Sequence, residues 1–236
     1  MIRLDSSGWL LSSRLKQYPN IIHGFSTRAM KDARIDHVRH GLMKSFDLPL
    51  VRGDQVHEAH VEIVRDDQTA LYKSTDALVT HRGSLAVGVI TADCVPILLA
   101  DPVHHIVGVV HSGWRGLLKG IIEATIDTMV EEGGDLGGML ACIGPHIGAC
   151  CYQVQEERVR MFEDRFHDET IAGENGLGWF IDIGQASRQV LVKKGLKKDA
   201  IDTSVFCTSC QNELFYSYRK DSKETFGELL SFIALT

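Results

Sequence analysis

No apolar run in these 236 residues is long enough to span a bilayer, and no charged-then-apolar leader opens the chain. Both absences point to the cytoplasm, away from membranes. A basic excess is missing too. Lys and Arg number 25 against 31 Asp and Glu, a net charge of −6. A general nucleic-acid partner needs a basic face and is therefore not expected, although a local anion site remains compatible. Internal repeats, low-complexity tracts and boundary-marking linkers are absent, so residues 1–236 are expected to fold as one domain. Six cysteines without a secretory leader read as reduced thiols, not as a disulfide framework.

What is present concentrates between Val87 and Gly116, VGVITADCVPILLADPVHHIVGVVHSGWRG. Two Val- and Ile-rich runs split by Asp-Pro read as a pair of buried strands. Cys94 stands at the edge of the first run and His111 at the end of the second. A thiolate and an imidazole delivered to neighbouring strand ends are the material of a zinc site or of a Cys–His nucleophile pair.

The remaining pattern mixes strands and helices without strict alternation. Strands are expected over 21–28, 55–64, 77–80, 86–90, 95–100, 106–111, 139–143, 179–183, 202–207 and 214–218. Ile35, Val38, Leu42 and Phe46 fall at helical spacing, and Pro49 closes that segment. Leu117, Leu118, Ile121, Ile122, Thr125 and Met129 mark one face of a helix that starts near Gly113 and ends at Gly133 and Gly134. Helices are also expected over 155–167 and 185–195. The sum is an α+β (α/β layered) class, with mixed β-sheets flanked by helices.

Catalytic zinc takes three protein ligands and keeps a fourth position open. With Cys94 and His111 as two, the third would come from GDQVHEAHV, which holds His57 and His60. Three residues apart on a strand, these two face opposite ways, so only one can join the site. Glu58, next to His57, is the candidate base or orienter. Arg115 is the anion candidate, because Gly113 and Gly116 let backbone approach a ligand and a helix begins there. Its bland alternative is an arginine paired with a core carboxylate. Trp114 reads equally as core or as a stacking surface. His104 and His105 read as turn residues, and His146 as loop or ligand wall. Tyr216, Tyr218 and Arg219 form an aromatic-basic strand. The single CxxC, Cys207 and Cys210, has no second CxxC or HxxxH at zinc-finger spacing and is expected to pack or to wall a site. No role for Cys150 and Cys151 follows from the residues.

Taken together, GDQVH, TADCVPILLAD, HSGWRG, IGPHIGACCYQV and CTSCQNELFYSYRKD resemble the YfiH/YlmD-like family, in blocks running from about His23 to Tyr218. Members have been labelled polyphenol oxidoreductases or multicopper laccases. They have also been described as zinc-dependent enzymes of purine nucleosides that combine phosphorolysis with adenosine deamination, and a role in peptidoglycan editing has been attached to the family. The resemblance implies zinc, or incidentally copper, held by His57, Cys94 and His111. Cys94, His111 and Arg115 would do the chemistry, and Arg115, Gly113 and Gly116 would hold phosphate. It further implies an architecture related to that of cysteine-dependent toxin deamidases, in which a Cys–His pair acts without metal. Three departures stand out. AMKDARID replaces a glycine-rich segment after HGFSTR, TFGELLS lacks the usual arginine, and His146 stands where relatives carry cysteine.

Several functions stay open on this basis. One is a zinc-dependent purine nucleoside enzyme acting on nucleosides and phosphate. Another is a Cys94 nucleophile with His111 as its base, in an amidase or deamidase. A third is a binding module on the same fold. Laccase chemistry ranks low, because multicopper centres use paired His-x-His clusters and the 11 histidines here are mostly single.

Overall fold

The computed structural model describes residues 1–176 and 178–236. In chain order the first half comprises β1 (Ile2–Leu4), β2 (Leu10–Ser12), β3 (Ile21–Phe25), α1 (Asp36–Lys44), β4 (Leu50–Gly53), β5 (Val61–Val64), β6 (Leu71–Tyr72), β7 (Ala77–Thr80), β8 (Leu85–Thr91), β9 (Val95–Asp101) and β10 (Ile106–Ser112). Then follow α2 (Trp114–Lys119), α3 (Ile121–Glu131), β11 (Leu140–Ile143), α4 (Glu156–Phe166), β12 (Ala172–Asn175), β13 (Gly178–Ile181), α5 (Ile183–Lys193), β14 (Ile201–Thr203) and β15 (Leu229–Leu235). Among the described residues no helix is long and apolar enough to cross a membrane.

Two mixed sheets carry the architecture. One runs β1-β2-β3-β15-β8-β4-β6 and the other β14-β11-β9-β10-β7-β5. Side-chain alternation assigns each face. Val87, Val89 and Ile233 of the first sheet share a core with Leu78, Leu98, Val107 and Val109 of the second. The opposite parity in the second sheet, including Val79, Ile97, Leu99 and Val110, packs on Leu117, Ile121 and Ile126, on Phe162 of α4 and on Leu191 of α5. The outer face of the first sheet, through Ala86, Leu230 and Phe232, packs on Met43 of α1 and on Trp9. Strands β9 and β10 are therefore apolar on both faces, and every one of their residues is buried. Each large aliphatic side chain removed from water there contributes about 1.5–3 kcal/mol. The expected class of mixed sheets flanked by helices is what the chain forms.

Several local expectations differ from the structure; of the strand expected over 202–207, only 202–203 is extended, as the end of β14. Only Val61–Val64 of the expected 55–64 strand is extended, and residues 55–60 form a loop in which His57 is left-handed, with φ 63°. The expected continuous helix after Gly113 breaks at Gly120, whose φ of 89° suits glycine and separates α2 from α3. Residues 214–218 form turns, held by bonds such as Phe215 N–H to the Gln211 carbonyl (3.1 Å). Strand β15, which the periodicity reading leaves unassigned, lies between β3 and β8 in the first sheet.

Candidate metal centre and its pocket

The site forms where the chain changes sheets. Strand β8 ends at Thr91, three residues cross over, and β9 begins in the other sheet at Val95. Cys94 is the last of those three. Asp93 just before it has φ 86° and is fixed from both sides. Its carboxylate accepts from the Thr208 hydroxyl (2.6 Å) and from Arg219 N–H (2.7 Å), and its carbonyl accepts from Ile147 N–H (3.0 Å). His111 reaches the same spot because β10 runs antiparallel to β9, pairing His111 with Pro96.

Asp76, fully buried just before β7, organises the histidines. Its carboxylate accepts three consecutive backbone N–H groups, from Val56 (3.2 Å), His57 (3.0 Å) and Glu58 (2.9 Å). It also meets His111 Nδ1 at 2.7 Å. One carboxylate thus shapes the His57 loop and fixes the ring orientation of His111, leaving Nε2 free, as carboxylates behind metal-bound histidines do. The far side of the loop is pinned by Gln55, whose amide bonds both the carbonyl and the N–H of Ile90 at 2.8 Å. Burial would push the Asp76 carboxyl up. The bonds from His111, Glu58 and His57 outweigh that and hold it below the usual carboxylate range.

Gly113 and Gly116 admit this loop. A Cβ on Gly113 would lie 2.7 Å from His57 Cδ2 and 3.1 Å from Cys94 Sγ, and one on Gly116 would lie 2.9 Å from the Glu58 carbonyl oxygen.

The result is a compact donor set. Ligand atoms of His57, Cys94 and His111 lie within 4.8 Å of one another, and Cys94 Sγ is 3.8 Å from His57 Nε2. A tetrahedral ion with Zn–S near 2.3 Å and Zn–N near 2.0–2.1 Å separates its S and N donors by roughly 3.5 Å. One sulfur and two nitrogens at this spacing fit a single zinc or copper ion. They do not fit a multicopper centre, and among the described residues the only other such cluster is made of cysteines alone. Burial raises the Cys94 thiol, but the facing His111 and His57 outweigh it and bring it down to about 7. His111, opposed by burial but facing Cys94 and Asp76, is raised to about 9.

The centre opens into a cavity of about 850 Å³. Arg52, Arg115, Arg158 and Arg219 line it. Arg115 is exposed and, among the described residues, pairs with no carboxylate. Two guanidinium groups lie against the Trp114 ring, with Arg115 Cζ 4.5 Å and Arg158 Cζ 4.2 Å from its centroid. Trp114 therefore serves as both core and stacking surface. Tyr152 and Tyr218 add aromatic wall, and Asp93 and Glu228 carry carboxyls that burial pushes above their ordinary range. Asp76, Asp93, Glu228 and Arg158 escape the sequence reading. Only Asp93, adjacent to Cys94, offered a local signal.

Other candidates fall outside. Glu58 turns outward, half-exposed, to pair with Lys119. His60 turns away to Glu62 (2.9 Å), which leaves His57 as the histidine that faces the site. His104 and His105 lie in the β9–β10 turn, as expected, and His104 bonds Asp101 at 2.7 Å. His146 is buried under Gly184 of α5, with Nδ1 on the Gly144 carbonyl (2.7 Å). Tyr216 packs beneath Arg28, whose Cζ lies 4.3 Å from the ring centroid.

Residues 23–236 match the family described as multi-copper polyphenol oxidoreductase laccase. The chain is 32% identical over 224 residues to purine nucleoside phosphorylase YlmD of Bacillus subtilis, covering 87% of this chain and 78% of that one. It is 34% identical over 182 residues to adenosine deaminase RL5 of an unknown prokaryote, covering 72% and 70%. Against mouse purine nucleoside phosphorylase LACC1 the identity is 33% over 171 residues, 69% of this chain but only 39% of the mouse protein. The crystal structure of the Bacillus licheniformis hypothetical protein YfiH superposes with a TM-score of 0.89 at 29% identity, covering 100% of this chain and 99% of that one.

Proposed function

The chain belongs to the multi-copper polyphenol oxidoreductase laccase family, and from that premise we propose a zinc-dependent enzyme of purine nucleosides that performs phosphorolysis and adenosine deamination. The observation that carries this reading is the shared cavity, where a one-sulfur, two-nitrogen donor set, four arginines and aromatic walls converge. The curated names of relatives sharing about a third of its residues support the same substrates.

His57, Cys94 and His111 would hold the ion, and zinc bound there supplies Lewis acidity and brings water toward ionisation near neutral pH. The remaining chemistry belongs to the chain. In phosphorolysis a phosphate oxygen bonds to C1′ of the sugar while the C1′–N9 bond breaks, and the purine leaves with the electron pair. Arg115, with its neighbouring guanidiniums, holds the phosphate and offsets its charge through charge-assisted hydrogen bonds. Gly113 and Gly116 contribute by admitting the His57 loop against the helix that carries Arg115. Trp114 and the tyrosines stack the base. Glu228 or Asp93, each a carboxyl easier to protonate than an exposed one, passes the proton the leaving purine needs. In deamination the oxygen of water bonds to C6 and ammonia leaves, with the same carboxyls carrying protons.

The test is to incubate the zinc-loaded protein with adenosine, inosine and methylthioadenosine, with and without phosphate, and to follow free base and ammonia. Base release should require phosphate, ammonia release from adenosine should not, and Cys94→Ser should lose both. Failure to turn over any of the three ends the proposal.

A second reading is favoured by one observation, the Cys94 thiol held at about 7 against His111, with Asp76 behind the imidazole. This is the arrangement of a cysteine nucleophile with an oriented base. Under it, protein purified without chelator carries no zinc and Cys94 is alkylated at once. Under the zinc reading, Cys94 resists alkylation until a chelator is added.

A further inference from the structure

We propose that Cys150, Cys151, Cys207 and Cys210 form a second metal site, structural in kind, that binds one zinc ion through four thiolates. One Sγ from each lies within 4.8 Å of the other three. Cys210 Sγ stands 3.5 Å from Cys150 Sγ and 3.3 Å from Cys151 Sγ. Four sulfurs around a tetrahedral zinc at about 2.3 Å stand roughly 3.8 Å apart. A disulfide needs S–S near 2.05 Å, and all six cysteines are free thiols. The spacing therefore matches shared ligation of one ion better than two bonded pairs.

Local backbone is built for this arrangement. Cys151 and Tyr152 both donate N–H to the Gly148 carbonyl (3.0 and 3.1 Å), a turn that brings the two adjacent cysteines to one side. Gly148 N–H in turn donates to Cys207 Sγ at 3.3 Å, the kind of bond that stabilises a thiolate. The Cys207–Cys210 pair has the two-residue spacing of structural zinc sites, and the adjacent pair Cys150–Cys151 supplies its missing second half. Lys220, Arg28, Glu213 and Asp221 line the same cleft as Cys151 and Cys210. On binding, each thiol passes its proton to solvent and each sulfur gives a lone pair to the ion. No oxidant is involved.

The location gives the site a task. The chain runs from Ser204 to Glu228 without a helix or strand, and the loop between β11 and α4 is likewise irregular. Such long irregular segments need tethering if they are to hold a defined wall. Among the described residues their direct backbone link includes a single bridge between His146 and Cys207, with Thr208 N–H to the His146 carbonyl at 3.0 Å. Both segments enter the cavity directly, one with Tyr152 and the other with Tyr218 and Arg219. A zinc shared between them would fix these walls relative to each other.

Metal stoichiometry under reducing conditions tests the idea, with the full chain purified as wild type, Cys94→Ser and Cys210→Ser. If both centres bind, wild type carries two equivalents and each variant one. If only the four-cysteine site binds, wild type carries one equivalent, kept in Cys94→Ser and lost in Cys210→Ser. That result separates this proposal from the reading of the first centre. Cobalt(II) in place of zinc should show the strong thiolate-to-metal absorption of a four-sulfur tetrahedral site, retained in Cys94→Ser. Because Cys210→Ser can fail to fold, a second measurement uses wild type alone. Cys150 and Cys210, though exposed, should resist iodoacetamide until a chelator is added. Equal metal content in wild type and Cys210→Ser, a cobalt spectrum without that absorption, immediate alkylation of Cys150 and Cys210, or disulfides in the reduced preparation would each overturn the proposal.

Discussion

The two cysteine-bearing clusters of this molecule border different cavities and are built on opposite plans. In the first, one sulfur and two imidazoles meet at the rim between two sheets, with the buried carboxylate of Asp76 behind them and the cavity in front. In the second, four sulfurs from two irregular loops face one another near the surface. An ion held by the three donors of the first would keep a coordination position open, and one held by the four sulfurs of the second would not, the division between catalytic and structural zinc. The ordered core stands behind the first cluster, while the second joins the parts of the chain that have least regular structure.

The largest separation between the two should come from paired substitutions. Cys94→Ser is expected to abolish nucleoside turnover. Cys210→Ser is expected to lower the unfolding midpoint and raise KM, with kcat changed only a few-fold, because a metal bound only by the folded state stabilises it. Equal effects of both variants on kcat would collapse the distinction.

Thiol reactivity in metal-stripped protein should divide the clusters next. Thiolate is the reactive form, so alkylation speeds up as pH rises through each thiol's pKa. Cys94, opposed by burial but paired with His111, titrates at about 7. Cys210, facing Cys151 and its other thiol neighbours, is pushed up to about 11. Cys94 should therefore react fast near neutral pH, while Cys210 reacts more slowly there and speeds up toward alkali. Mass mapping of iodoacetamide adducts across pH measures this, and the reverse order would contradict the electrostatics of both sites.

A smaller effect is expected from Asp76→Asn. It removes the charge behind His111 and should weaken metal binding at the first centre by about 10–100-fold, the usual range for carboxylates behind a ligand histidine. The four-sulfur cobalt absorption should not change. Competition with a chelator reads both centres in one titration. The smallest effect is expected from Glu58→Gln. Glu58 faces Lys119 on the surface instead of the cavity, and such exposed pairs contribute about 0–1 kcal/mol. Turnover should match wild type, whereas loss of ammonia release alone would restore Glu58 as a proton carrier.

How much of this was legible follows from where each signal lies. Strands β9 and β10 announce themselves because both faces are apolar, and their ends deliver Cys94 and His111 as the sequence suggests. Leu229–Leu235 carries a comparable apolar run, yet it pairs with β3 and β8, far away in sequence, and nothing nearby points to them. The alternation in QVHEAHV imitates a strand. The loop it forms is dictated by a carboxylate about twenty residues on, and no local propensity encodes that. Aromatic alternation in LFYSY misleads for a similar reason, since Tyr216 is held by Arg28 from the other end of the chain. The sequence offers no second half for the CxxC of Cys207 and Cys210, because the thiols they face belong to an adjacent pair on another loop. In each case the missing information is a contact between distant segments, which tertiary structure alone supplies.

The passage from β8 to β9 leaves no slack. Ala92, Asp93 and Cys94 span the gap between layers, with Asp93 bolted to Thr208 and Arg219. Adding one residue to that bridge would leave both layers able to form and would swing the sulfur away from its partners. At this one joint, the architecture and the reactivity of the molecule can be uncoupled by a single insertion.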